Sequence, residues 1–128
     1  MDLEQEIAEK ASKAPRITPA DIEAEIASEH YFTAFHGREG ALIMNQYAGR
    51  EKPAADWTAS DLDPLRLLTF CVLVLRNGFT VTGESACASP KNFDAEIGRK
   101  VARHNAVNKI WPLLGFRLRD QMHQAERV

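Results

Sequence analysis

The sequence predicts an α+β fold made of an N-terminal helix, a central β-hairpin and a long, kinked C-terminal helix. Three observations carry that prediction. A helix-start signature stands at Thr18 to Asp21, an Asn77-Gly78 pair separates two β-rich runs, and a helix-forming stretch opens near Phe93 and runs past Leu114 with Pro112 inside it.

The start signature combines three devices. Thr18 suits the N-cap, Pro19 the first helical position, and Asp21 can return a bond to the cap. Ile17 and Ile22 stand at staple spacing across it. The helix is expected to reach Tyr31 or Phe32, with Ile22 and Ile26 inside and Glu23, Glu25 and Glu29 outside. His30 follows Ile26 by four residues, where a histidine more often packs or caps than reacts.

The hairpin rests on Cys71 to Arg76, then Asn77-Gly78, then Phe79 to Thr82. Asn-Gly supplies the positive φ that a tight two-residue loop requires. Such a loop places Arg76 opposite Phe79, Leu75 opposite Thr80 and Val74 opposite Val81. A helix from Pro64 to Arg76 capped by Gly78 competes with this reading. An intermediate form starts as helix near Pro64 to Leu68 and then becomes strand. A lone hairpin is marginal in water and needs helices or a larger sheet to pack on.

Gly83 to Pro90 is a run of small residues without periodicity, after which Ser89 or Asn92 can cap the long helix. That helix does not keep one apolar face. Phe93, Ile97, Val101 and Ala102 lie on one side, whereas Ala106, Val107, Ile110 and Leu114 lie on the side that Arg99 and Arg103 held. The pattern predicts a break near His104 or packing against two surfaces, the second from another subunit, and Pro112 adds a kink.

The remaining segments are plainer. Residues 1–16 read as an acidic tail or short helix, and residues 17–128 as a single α+β domain. Residues 36–60 form a variable segment in which only Ala41 to Tyr47 suggests a short helix and Trp57 some packing.

At 128 residues, 45% hydrophobic and 27% charged, the chain has the size and composition of one globular domain. Its longest nearly apolar run, Leu67 to Leu75, is far short of the roughly 20 residues of a membrane span. The acidic N-terminus has no apolar signal core, and Cys71 and Cys87 have no metal-ligand spacing, so a reduced cytoplasmic setting without metal or cofactor is expected. Net charge is −2, which disfavours wholesale nucleic-acid binding.

The charge is unevenly placed. Asp2, Glu4, Glu6, Glu9, Asp21, Glu23, Glu25 and Glu29 outweigh three bases in residues 1–30, while Arg99, Lys100, Arg103, Lys109, Arg117 and Arg119 outweigh Asp94 and Glu96 in residues 94–119. Either the two segments attract one another or the basic one meets an anion.

Several stretches carry a family likeness: TPADIEAEI from Thr18 with SEHYFTA from Ser28, LTFCVLVLRNGFTVTGESAC from Leu68, PKNFDAEIGRK from Pro90, and KIWPLLGF from Lys109. Together they resemble the phage gene-66-product family of small tailed-phage and prophage proteins. The resemblance covers most of residues 17–120 and fits residues 36–60 least. It implies a phage accessory protein acting in the host cytoplasm, and it carries over no catalytic residue or cofactor.

Three functional readings follow. The first is capture of a small anionic, nucleotide-like ligand where the small-residue loop feeds a helix N-terminus, as in counter-defence. Its candidate residues are Ser85, Cys87, Ser89, Asn92, Arg99, Lys100, Lys109 and His30. The second is binding of a host protein through the acidic helix or the variable segment. The third is a small cysteine-dependent enzyme with Cys87 as nucleophile and His30 or His104 as base. No catalytic residue is assigned, and a homo-oligomer is expected from the two-faced helix.

Overall fold

The computed structural model describes residues 2–10, 14–44, 51 and 58–127. Among these, α1 (Leu3–Lys10), α2 (Pro19–Glu25), β1 (Ile26–Thr33) and α3 (Ala34–Ile43) precede a 3₁₀ segment at Ala59–Leu67. Then come β2 (Leu68–Leu75), β3 (Thr80–Ala86), a short 3₁₀ turn at Pro90–Asn92 and α4 (Ala95–Glu126). The three strands form one antiparallel sheet in the order β1-β2-β3, and the class is α+β as the sequence predicts. Trp57 and Tyr47 lie outside the described residues.

The capping box at the start of α2 forms as expected, with Thr18 accepting from the Asp21 N–H and the Asp21 carboxylate accepting from the Thr18 N–H. The end of the helix differs. It stops at Glu25, and Ile26 to Thr33 become the strand β1, paired with β2 from Ile26 opposite Leu75 to Thr33 opposite Thr69. The spacing of Ile22, Ile26 and His30 mimics a helix. The run Tyr31, Phe32 and Thr33 has strand preferences, and pairing with the apolar β2 decides the outcome. Glu25 is buried rather than exposed.

The hairpin is present with a register one residue away from the tight two-residue form. The Leu75 N–H donates to the Phe79 carbonyl, and the Gly78 N–H donates to the Leu75 carbonyl. The loop is therefore Arg76-Asn77-Gly78, with Gly78 at φ 88°, a three-residue loop ending in a left-handed glycine. Val74 thus faces Thr80 and Leu73 faces Val81. A one-residue slip exchanges the two faces of a strand, and this register puts Cys71, Leu73, Leu75 and Val81 on the same buried side. Upstream, Asp61 to Pro64 belong to the 3₁₀ segment, so the intermediate reading of helical start followed by strand describes Ala59 to Leu75.

The small-residue run also changes. Gly83 to Ala86 continue β3, which leaves Cys87 to Ser89 as the connection. The helix cap is Asp94, whose carboxylate accepts from the Ile97 N–H, rather than Ser89 or Asn92.

Helix α4 is 32 residues long and breaks neither at His104 nor at Pro112. It buries one row at every fourth position: Gly98, Ala102, Ala106, Ile110 and Leu114. Ile97 and Val101, expected inside, are exposed. Closeness of approach explains the choice of row. A Cβ on Gly83 would lie 2.1 Å from the Ala102 carbonyl oxygen and 2.3 Å from the Ala106 nitrogen. The helix backbone therefore rests directly on β3, and only small residues fit at that crossing.

Candidate functional site

One end of the sheet holds a cavity of about 480 Å³. It opens where β1 runs into α3, β2 begins and α4 starts. β1 supplies Tyr31, Phe32 and Thr33, α3 supplies Phe35 and His36, and β2 supplies Thr69. Arg66 and Leu67 come from the preceding 3₁₀ segment, Pro90 and Phe93 from the approach to α4, and Ala95 and Arg99 from its first turns.

The walls are aromatic. Phe32 and Phe70 sit on neighbouring strands with ring centroids 5.7 Å apart. Tyr31 donates its hydroxyl proton to Glu29 at 2.7 Å. Burial and that carboxylate together hold the tyrosine well above its usual range, so it stays neutral.

Two exposed arginines, Arg66 and Arg99, line this apolar space. Arg66 lies 3.6 Å from the centre of the Phe35 ring, a stacking geometry that leaves the edge of its planar fork for other acceptors. Its other partner is Asp63 at 3.6 Å on the surface. Arg99 has no ion-pair partner among the described residues. His36 is engaged at one nitrogen, since its Nδ1 accepts from the Thr33 N–H in the cap of α3. The helix N-terminus itself is less available to an anion, because Asp94 and Glu96 already occupy its first turn.

The residues expected from the sequence to form a ligand site are spread over the molecule. Of the eight, Arg99 lines the cavity. Ser89 and Asn92 bracket the turn beside it and bond to each other through the backbone. Ser85 lies on β3 opposite Thr69. The Cys87 thiol donates to the Ser89 carbonyl at 3.1 Å. Lys100 pairs with Glu96 at 3.3 Å, and Lys109 reaches round to the Thr82 hydroxyl at 3.4 Å. His30 is on exposed β1 against Ser28. Sequence reasoning missed Tyr31, Phe35, Arg66 and Thr69, which come together only through β1 and its pairing with β2.

Part of the uneven charge is neutralised inside the fold. Arg103 bridges Glu23 at 2.7 Å and Glu29 at 3.0 Å, and Arg117 holds buried Glu25 at 2.7 Å. Each of these carboxylates is on α2 or β1 and each arginine on α4, so the acidic and basic segments clamp one another. The Cys71 thiol is pushed up by burial, as expected of a packed cysteine rather than a nucleophile.

A family model described as phage protein (N4 Gp49/phage Sf6 gene 66) matches residues 17–122. The chain belongs to this family. The match begins at the α2 cap and ends within the last turns of α4, so it includes every wall of the cavity. No curated protein and no solved structure is detectably similar. This member of the phage gene 66 family has no helix, among the described residues, long and apolar enough to cross a membrane.

Proposed function

We propose that this phage protein acts in the host cytoplasm by binding rather than catalysis, and that its cavity sequesters a small anionic ligand with a planar, nucleotide-like body. The observation that carries the reading is the pairing of aromatic walls with two arginines, Arg66 and Arg99, that line one cavity. Aromatic faces accept a flat ring at little conformational cost, and arginine forks fit the oxygens of phosphate or carboxylate. A volume of about 480 Å³ suits a ligand of mononucleotide size. Sequestration of a nucleotide signal would serve counter-defence.

Part of the acidic surface that motivates the host-protein reading is engaged within the fold, since Glu23, Glu25 and Glu29 are held by α4. The enzyme reading has Cys87 bonded to Ser89 and placed outside the cavity.

The test is calorimetric titration with linear and cyclic nucleoside monophosphates. Wild-type protein should release heat with at least one of them. Arg99→Ala should bind it about tenfold more weakly, the equivalent of about 1.4 kcal/mol for one lost charge-assisted contact. Absence of heat across the panel overturns the reading.

A further inference from the structure

Capping boxes recur in this chain, and one departs from the others. At the starts of α2 and of the 3₁₀ segment, the third helical position holds Asp21 and Asp61. Their carboxylates accept the N–H of Thr18 at 2.8 Å and of Thr58 at 2.6 Å. The box that opens α3 has the same form with Thr33 at the cap, but His36 takes the place of the acid, and its Nδ1 accepts the Thr33 N–H at 3.1 Å. Glutamate and glutamine are the usual residues at that position, and a carboxylate there also suits the positive end of the helix. Helix stability alone therefore favours an acid. The first turn of α3 has none, and His36 is both exposed and part of the cavity wall.

The cavity explains the exception. Arg66 and Arg99 line it, and none of its described lining residues is acidic. Asp63, the surface partner of Arg66, lies outside that lining. An aspartate or glutamate at position 36 would put a negative charge on the wall of a cavity that holds two arginines. Histidine caps the helix without that charge and adds a donor, because an accepting Nδ1 assigns the ring hydrogen to Nε2.

We propose that the cavity takes a terminal phosphate, the dianion of a phosphomonoester, and that His36 binds it together with Arg66 and Arg99. This rests on the reading of the cavity as a small-anion site and adds the chemical class. A terminal phosphate carries close to two charges at neutral pH and three strong acceptor oxygens. These match two guanidinium groups and one imidazole N–H. A cyclic nucleotide is a diester with one charge fewer and one free oxygen fewer, so it leaves one of the donors without an anionic acceptor.

The experiment titrates wild-type, His36→Glu and His36→Gln proteins with AMP, GMP, CMP and UMP and with the cyclic form of each, and records thermal melting without ligand. Wild-type protein should bind its best linear nucleotide at least about tenfold more tightly than the cyclic form. His36→Glu retains the capping box, so it should melt at or above the wild-type temperature, yet it should bind that nucleotide at least about tenfold more weakly. His36→Gln keeps both a capping oxygen and an N–H donor, and should keep the preference for the linear form.

Equal or tighter wild-type binding of the cyclic form overturns the proposal and leaves the small-anion reading standing. Wild-type nucleotide affinity in His36→Glu overturns it too. A glutamate variant that melts well below wild type also does so, by showing that the imidazole serves the fold. If the wild type binds none of the probes, the small-anion reading falls with it.

Discussion

Gly83 has a role that its chemistry alone does not suggest. Its absent side chain is what lets α4 rest on β3, with the Ala102 carbonyl and the Ala106 backbone occupying the space a methyl group would need. The contact is backbone against backbone, so neither side can yield by changing a rotamer. Gly83→Ala should cost about 3 kcal/mol or more, at the upper end of overpacking penalties. Urea denaturation gives the value, and a loss under about 1 kcal/mol would show that the helix can lift without penalty. Thr69 and Gly98 make a second tight pair nearer the cavity, where the missing Cβ sits over an unpaired hydroxyl. At both positions smallness matters more than hydrophobicity, so a reading of apolar periodicity does not find them.

At the scale of elements, α4 is the organising piece. Its inner row of Gly98, Ala102, Ala106, Ile110 and Leu114 covers the β2 side chains Cys71, Leu73 and Leu75. Its arginines reach the acidic elements α2 and β1. The Arg117–Glu25 pair has the greater leverage, because the Glu25 side chain is only 8% exposed and loses its main charge partner if Arg117 is removed. Arg117→Ala should destabilise by about 2 kcal/mol, below the full penalty for a broken buried pair because Arg117 itself is half-exposed. Arg103→Ala should cost about 1 kcal/mol, since Glu23 and Glu29 stay in contact with water. Chemical denaturation of the two single variants would contradict this ranking if Arg103→Ala proved the more damaging.

The elements also show how much of the fold was legible in the chain. The Thr18 cap, the Asn77-Gly78 hairpin and the long C-terminal helix each depend on residues close in sequence, and each is in place. β1 was hidden because Ile22, Ile26 and His30 repeat at helical spacing, and its strand state comes from pairing with residues about 40 positions away. The hairpin register depended on one additional loop residue, which the preference for a left-handed glycine does not distinguish between loop lengths. Of the candidate site, Arg99 was legible as a cation near a helix start. Arg66, Phe35 and Thr69 were not, because no local pattern links them.

For the whole molecule, the clamp between acidic and basic segments makes stability depend on pH. The Arg117 guanidinium holds Glu25, and the Arg103 guanidinium holds Glu29, below their ordinary value of 4.5. A carboxylate depressed on folding contributes stability above its unfolded pKa and loses it as pH falls through the folded one. Stability should be level from about pH 7 to about pH 5 and fall below about 4.5, and Arg103→Ala/Arg117→Ala should flatten the fall. Urea midpoints across that range supply the check, and an equally steep fall in the double variant would contradict the assignment.

The outer side of α4 bears on assembly. Ile97 is 60% and Phe116 72% exposed, with Val101 and Leu113 also open. We propose that a second copy of the chain covers part of this face. Light scattering at micromolar concentration should give at least a dimer mass, which Ile97→Glu/Phe116→Glu should reduce to a monomer. A wild-type monomer excludes it.

Caps, turn residues and periodic runs act over a few neighbours, so the α+β class, the position of the hairpin, the first helix start and the presence of a long C-terminal helix were set by the chain's local sequence. The tertiary structure alone decided that Ile26 to Thr33 are a strand, which face of the long helix is buried, where the opposite charges are neutralised and which residues wall the cavity. Those outcomes depend on strand pairing and on how closely two backbones can approach, and both are settled by residues distant in sequence.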